Sequence, residues 1–122
     1  MDIYREDILD HYENPRNMGE LSGDDVVTDR DSNASCGDMI QFQVKITKGK
    51  VTEVKWKGIG CAISTAAASK LSEWLVGKEV EKLRAMGEEE IIKQGVGFEV
   101  NPGRMKCLTL PVRVIKKSLT RN

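Results

Sequence analysis

The sequence predicts an α+β domain: a small antiparallel β-sheet with helices gathered on one face. Three observations point there. Polar and apolar residues alternate at period two across residues 39–57, which is the pattern of half-buried strands. The period becomes helical after Cys61 and stays so, with interruptions, almost to the end. The order is helix, strands, helices, without the alternating units that build a parallel sheet. At 122 residues the chain can bury one real core, and 1–122 is expected to be a single domain.

Each element has its own grounds. Ile3, Ile8 and Tyr12 fall near helical spacing and predict a short helix over residues 2–12. Asn14-Pro15 breaks it, and the polar, glycine-containing stretch 16–25 is loop. Val26-Val27-Thr28 has the composition of a short strand. Ile40, Phe42, Val44 and Ile46 share one face of the next strand, and Gln41, Gln43 and Lys45 share the other. Lys48-Gly49 makes a turn, and residues 51–57 return with Val54 and Trp56 on one face, giving a β-hairpin with one wet side.

Gly58-Ile59-Gly60 ends the hairpin. Ile63, Ala67, Leu71 and Trp74 then recur at helical spacing with Leu75 alongside, and Gly77 closes the helix. Residues 80–86 and 88–94 are two shorter helical pieces, and 95–104 reads as loop. Leu108, Val112, Ile115 and Leu119 line one face of a last helix. Pro111 fits only near the start of that helix, where a missing N–H costs little, so Cys107 belongs at its mouth. The small residues 64–69 need no function: they let a helix pack close to a sheet, and the alanines favour the helix.

Charge and cysteine content narrow the function. Nineteen basic residues balance nineteen acidic ones, which argues against a nucleic-acid footprint or an anionic membrane partner. No apolar run is long enough to cross a bilayer. The first twelve residues mix charged with apolar side chains and lack the apolar core of a signal peptide. The expectation is an intracellular protein in a reducing compartment, the cytoplasm. Three cysteines, Cys36, Cys61 and Cys107, with no C-x-x-C pair, make a poor disulfide framework. Burial, metal binding or thiol chemistry remain.

All three cysteines fall at element boundaries. Cys36 precedes a strand, Cys61 opens a helix after a strand, and Cys107 sits at or just before a helix start. Helix N-termini favour thiolate over thiol, and Arg104 and Lys106 push Cys107 the same way. Asp38 is the natural fourth member, because Gly37 lets the chain bend so that Cys36 and Asp38 can face one point. Three sulfurs and one carboxylate oxygen suit tetrahedral zinc, at one end of the sheet. They also suit an iron–sulfur cluster with one weak oxygen corner, useful where a cluster must leave. Spacing alone leaves zinc, cluster, catalytic thiol and plain core packing open.

The residues also resemble a known family. YREDILDHYENPRNMG (residues 4–19), CGD at residues 36–38, GIGCAISTAAASKLSEWLVGK (58–78) and a final Cys107 before a helix together resemble the U-type iron–sulfur cluster assembly scaffolds, the group of IscU, SufU and the NifU N-terminal domain. The resemblance runs along most of the chain. It implies that Cys36, Cys61 and Cys107 hold a nascent [2Fe–2S] cluster or a zinc ion, with Asp38 tuning how firmly, as a ligand or beside one. It implies a scaffold or carrier that is not a turnover enzyme. Such a protein takes persulfide sulfur from a cysteine desulfurase and iron from a donor. It draws electrons from a donor such as ferredoxin and passes the cluster to recipient apo-proteins. Cys107 is the persulfide acceptor in an IscU-like scheme and Cys36 in a SufU-like one. A cluster with an incomplete ligand set could bridge two chains, so monomer and cluster-bridged homodimer are both compatible with it.

Two departures qualify the resemblance. Lys106 stands before Cys107 where IscU proteins usually carry His, which raises the weight on Asp38. No LPPVK chaperone-recognition motif precedes Cys107, and this removes the ground for expecting an Hsp70-type chaperone. The Arg-x-Lys-Cys context is SufU-like, yet the short gap from Cys61 to Cys107 is IscU-like. The alternative function is therefore a zinc-bound sulfurtransferase of SufU type. Elsewhere, Tyr4 reads as a helix-start aromatic or a partner contact. His11 reads as a satisfied hydrogen-bonding side chain before a ligand, and Lys106 as a solvated lysine before a partner of Asp38.

Overall fold

The structure is a computed structural model, and it describes residues 5–33 and 37–120. Tyr4 and Cys36, two of the residues singled out above, lie outside the described residues. The chain runs α1 (Arg5–Glu13), β1 (Val26–Asn33), β2 (Asp38–Thr47), β3 (Lys50–Ile59), α2 (Ala62–Leu75), α3 (Val80–Ala85), α4 (Glu88–Ile91) and α5 (Met105–Thr120). The three strands form one antiparallel sheet in the order β1-β2-β3. Helices α2 and α5 pack on it, and α1 packs on α2, so the architecture is the expected α+β arrangement.

The alternation in β2 is what the sequence predicts: Ile40, Phe42 and Val44 are buried and the residues between them only partly so. In β3, Val51, Val54 and Trp56 are buried. Strict period two would put Val51 and Val54 on opposite faces. A register shift between Lys45 and Ile46 resolves this. Lys45 pairs with Glu53 and Ile46 with Val51, which leaves Thr52 as the extra residue, and its hydroxyl donates to the Lys45 carbonyl at 3.2 Å. A bulge of this kind turns the strand so that both valines reach the core.

Four expectations are corrected. Strand β1 is longer than Val26-Val27-Thr28 and continues to Asn33. It pairs with β2 along its whole length, which fixes its polar second half as strand, and α5 braces it through Lys117 Nζ to the Arg30 carbonyl at 3.0 Å. The helical piece 88–94 is α4 followed by a π-helical turn, Ile92–Val96, that ends at Gly97 with φ 74°. In that turn Gly95 lies so close to α2 that a Cβ would be 2.8 Å from the Trp74 ring. The stretch 95–104 is therefore not all loop, and Pro102–Arg104 adds a 3₁₀ turn. Finally, Pro111 is not near the start of the last helix but inside it.

Helix α2 is the centre of the molecule. Ala66, Ala67, Ala68, Leu71 and Leu75 are all buried, so its small residues serve packing against β3, α1 and α5 at once. Its serines do more than the sequence suggests. Ser69 Oγ accepts from the Arg16 N–H at 2.9 Å and lies 2.7 Å from His11 Nδ1. Ser72 Oγ accepts from Asn17 Nδ2 at 3.1 Å. Trp56 Nε1 donates to the Arg16 carbonyl at 2.8 Å. The Asn-Pro-Arg-Asn turn is thus fastened to the core by buried polar groups, each with a partner.

Candidate metal and sulfur site

Three chain segments meet at one end of the sheet. Asp38 is the first residue of β2, Cys61 is the N-cap of α2, and Cys107 is in the first turn of α5. One ligand atom from each of Asp38, Cys61 and Cys107 lies within 4.8 Å of the others. Asp38 is 5% and Cys107 8% exposed, while Cys61 is half-buried. The concavity they share with Gly103, Arg104 and Lys106 opens to solvent.

Local sequence explains each position. Gly37 adopts φ 74°, the left-handed conformation that glycine takes without strain, and its N–H donates to the Asn33 carbonyl at 2.8 Å. Asn33, the last residue of β1, pairs with Asp38, the first of β2. Gly58 is opposite Ile40 in the sheet, and a Cβ there would meet the Met39 carbonyl oxygen at 2.3 Å. Cys61 follows directly, with φ −72° and ψ 173°, the extended conformation typical of an N-cap.

Cys61 is tuned toward thiolate. Burial works against the charge, but the Ser64 N–H and hydroxyl, the Cys107 thiol and the Ile63 N–H outweigh it and hold the Cys61 pKa below the usual thiol value. The N–H groups that act here belong to the first turn of α2, where backbone donors lack helical partners. Two sulfurs and a carboxylate oxygen, partly shielded from water, are donors that fit zinc or iron and can hold reactive sulfur.

Cys36 lies outside the described residues, so the site as described holds three of the four expected members. His11 is not in the group; it is buried against Ser69, with Asp7 and Glu73 each 3.9 Å from Nε2. Lys106 and Arg104 are exposed, while Asp38 Oδ2 is engaged by Ser64 at 2.7 Å. Ser64 is what sequence reading missed: its hydroxyl also lies 3.1 Å from the Cys107 carbonyl oxygen and 3.6 Å from Cys61 Sγ. The signal was there, in Ser64 three residues after Cys61 and Pro111 four after Cys107.

The chain is thus an α+β domain with an Asp/Cys/Cys group at one end of a three-stranded sheet. It belongs to the family of the NifU-like N terminal domain, whose model matches residues 3–121. It is 34% identical over 119 residues to the iron–sulfur cluster assembly scaffold protein IscU of Haemophilus influenzae, covering 95% of this chain and 92% of that one. It is 33% identical over 135 residues to the zinc-dependent sulfurtransferase SufU of Bacillus subtilis, covering 98% and 90%. Among solved structures, a SUF-system assembly scaffold protein from Fervidobacterium islandicum superposes with TM-score 0.74 at 25% identity, over 93% and 94% of the two chains. The N-terminal NifU-like protein of Brucella abortus has the same fold, with TM-score 0.79 at 20% identity over 98% and 94%. No described helix is long and apolar enough to cross a membrane.

Proposed function

We propose that this protein is a scaffold on which a [2Fe–2S] cluster is built from desulfurase-derived sulfur and iron, then handed to apo-proteins. The observation that carries this reading is the convergence of Asp38, Cys61 and Cys107, from three distant parts of the chain, within 4.8 Å. Cys36, two positions before Asp38 in the sequence, is the fourth member of this reading. Asp38 is the hard corner among soft thiolates, which favours release. The protein acts as a carrier that hands its cargo on, in a reducing, cytoplasmic setting that keeps its thiols reduced.

Sulfur acceptance needs no net redox change. The thiolate of the accepting cysteine attacks the outer sulfur of the desulfurase persulfide; a new S–S bond forms on the scaffold and the desulfurase cysteine leaves as thiolate. Cys107, beside Arg104 and Lys106 at the cleft, is the acceptor in this scheme. Electrons for cluster completion come from a donor of ferredoxin type. Anaerobic reconstitution with iron, sulfide and reductant tests the reading. A stoichiometric [2Fe–2S] chromophore that moves to an apo-ferredoxin is the expected result.

A second reading is favoured by the likeness to a zinc-dependent sulfurtransferase at 33% identity. Here the same residues hold zinc, and Cys36 carries the persulfide. Tight zinc that resists displacement, no chromophore and strong stimulation of desulfurase turnover would establish it in place of the scaffold.

A further inference from the structure

Ser64 is fully buried in the first turn of α2, and all three members of the described group meet on its hydroxyl. Its Oγ is 2.7 Å from Asp38 Oδ2, 3.1 Å from the Cys107 carbonyl oxygen and 3.6 Å from Cys61 Sγ. A serine hydroxyl has one proton to donate and lone pairs to accept with. Carboxylate and carbonyl both draw on that one proton, and the Cys61 sulfur stands within reach of the same hydroxyl.

The claim of the Cys107 carbonyl originates in α5. In an α-helix that oxygen accepts from the N–H four residues on, and here that residue is Pro111, which has no N–H. A hydroxyl from another helix approaches instead. Gly60 leaves the room: a Cβ there would lie 3.1 Å from Ser64 Cβ and 3.2 Å from Asp38 Cγ. Ser64 is thereby braced on α5 while it holds one carboxylate oxygen and leaves the other, Oδ1, for a ligand.

We propose that Ser64 is a positioning residue of the site: anchored on the Cys107 carbonyl that Pro111 cannot serve, its hydroxyl orients the Asp38 carboxylate toward a metal beside Cys61 and Cys107. This rests on the reading that these residues bind metal. Partners that orient a ligating carboxylate are commonly worth about 10–100-fold in metal affinity. Ser64 acts through Asp38, so its effect depends on Asp38 being present.

The test is a zinc-affinity measurement by chelator competition, with cobalt(II) absorption as the spectroscopic readout, on wild type, S64A, D38A and the double variant D38A/S64A. S64A is expected to weaken zinc binding about 10–100-fold and to shift the cobalt ligand-field bands. In the D38A background the same change is expected to have almost no effect. The variant P111A separates structure from positioning, because an alanine N–H restores the helical bond to the Cys107 carbonyl. S64A/P111A is expected to regain the urea resistance lost in S64A but not the zinc affinity. Equal losses with and without Asp38, or affinity restored by P111A, would overturn the proposal. An S64A affinity equal to wild type removes Ser64 alone and leaves the scaffold reading standing. A wild type that binds neither zinc nor cobalt removes the donor set, and both readings fall with it.

Discussion

The hydroxyl of Ser64 stands 3.1 Å from the carbonyl oxygen of Cys107, the oxygen that residue 111 would serve were it not proline. This ties α2 to α5 at the point where their cysteines approach. Ser118 offers a control. It is equally buried, and its hydroxyl donates to the Val114 carbonyl at 3.1 Å. That carbonyl, however, has the Ser118 N–H as its regular helical donor. Removing a hydroxyl that serves a buried acceptor costs about 1–3 kcal/mol, against about 1 kcal/mol or less for a redundant bond. Urea unfolding should therefore show Ser64→Ala clearly more destabilised than Ser118→Ala.

Gly58 is the tightest point of the sheet beside the site. A Cβ would meet the Met39 carbonyl oxygen at 2.3 Å and Ile40 Cδ1 at 2.8 Å, and the first of these is backbone that cannot swing away. Gly58→Ala should cost about 1–3 kcal/mol by overpacking. Gly49→Ala serves as comparison: nothing lies within 4 Å of its Cβ position, and the cost there is that of its φ of 77° alone. Chemical denaturation of the two variants checks the difference in cause through β2 amide exchange, which should rise in Gly58→Ala and stay local to the turn in Gly49→Ala.

His11 couples the α1–α2 contact to pH. Burial is the main reason its pKa falls below 6.5, with the Arg16 charge adding to it and the Asp7 and Glu73 carboxylates opposing. A histidine depressed in the folded state stays neutral there while the unfolded chain takes up a proton. The stabilisation is then fully present above 6.5 and is lost as the pH falls below it toward the folded value. It is the only histidine in the sequence. Urea midpoints should decline from about pH 7.5 to about pH 5.5, and His11→Gln should flatten that decline. Asp10 and Glu20, held below the usual carboxylate range by hydrogen bonds from Arg16 and Lys57, lose their contributions only at lower pH.

Asp38 supplies the one oxygen among sulfurs. Its replacement by alanine removes the hard corner, and Asp38→Ala should hold a reconstituted [2Fe–2S] cluster longer than wild type. Cluster absorbance followed in the presence of a chelator measures this, and an unchanged lifetime would count against Asp38 as the release device.

Much of this was legible because the physics is local. The alternation of Ile40, Phe42 and Val44 forces a strand, Gly77 and Asn14-Pro15 stop helices, and Cys61 after Gly58-Ile59-Gly60 marks a strand-to-helix junction. What was hidden depends on contacts across the chain. The second half of β1 is strand because β2 pairs with it, not because Asp29, Arg30 and Asp31 favour extended structure. Inside α5, the Cys107 carbonyl that Pro111 cannot serve is reached by a hydroxyl far away in sequence. Ser69 and Ser72 looked like small packing residues and are also hydrogen-bonding anchors for the Arg16–Asn17 turn. Sequence reading named Asp38, Cys61 and Cys107 from boundary positions and resemblance, but it took the polar residue in their midst, Ser64, for a packing residue.

The most direct test of the donor set is X-ray absorption at the zinc edge of protein loaded with one zinc ion. Cys36, Cys61, Cys107 and Asp38 predict three sulfurs at about 2.3 Å and one oxygen at about 2.0–2.2 Å, with one sulfur lost in each Cys→Ser variant. Fewer than three sulfurs in the wild-type protein, or a first shell unchanged by replacing Cys61 or Cys107, would contradict it.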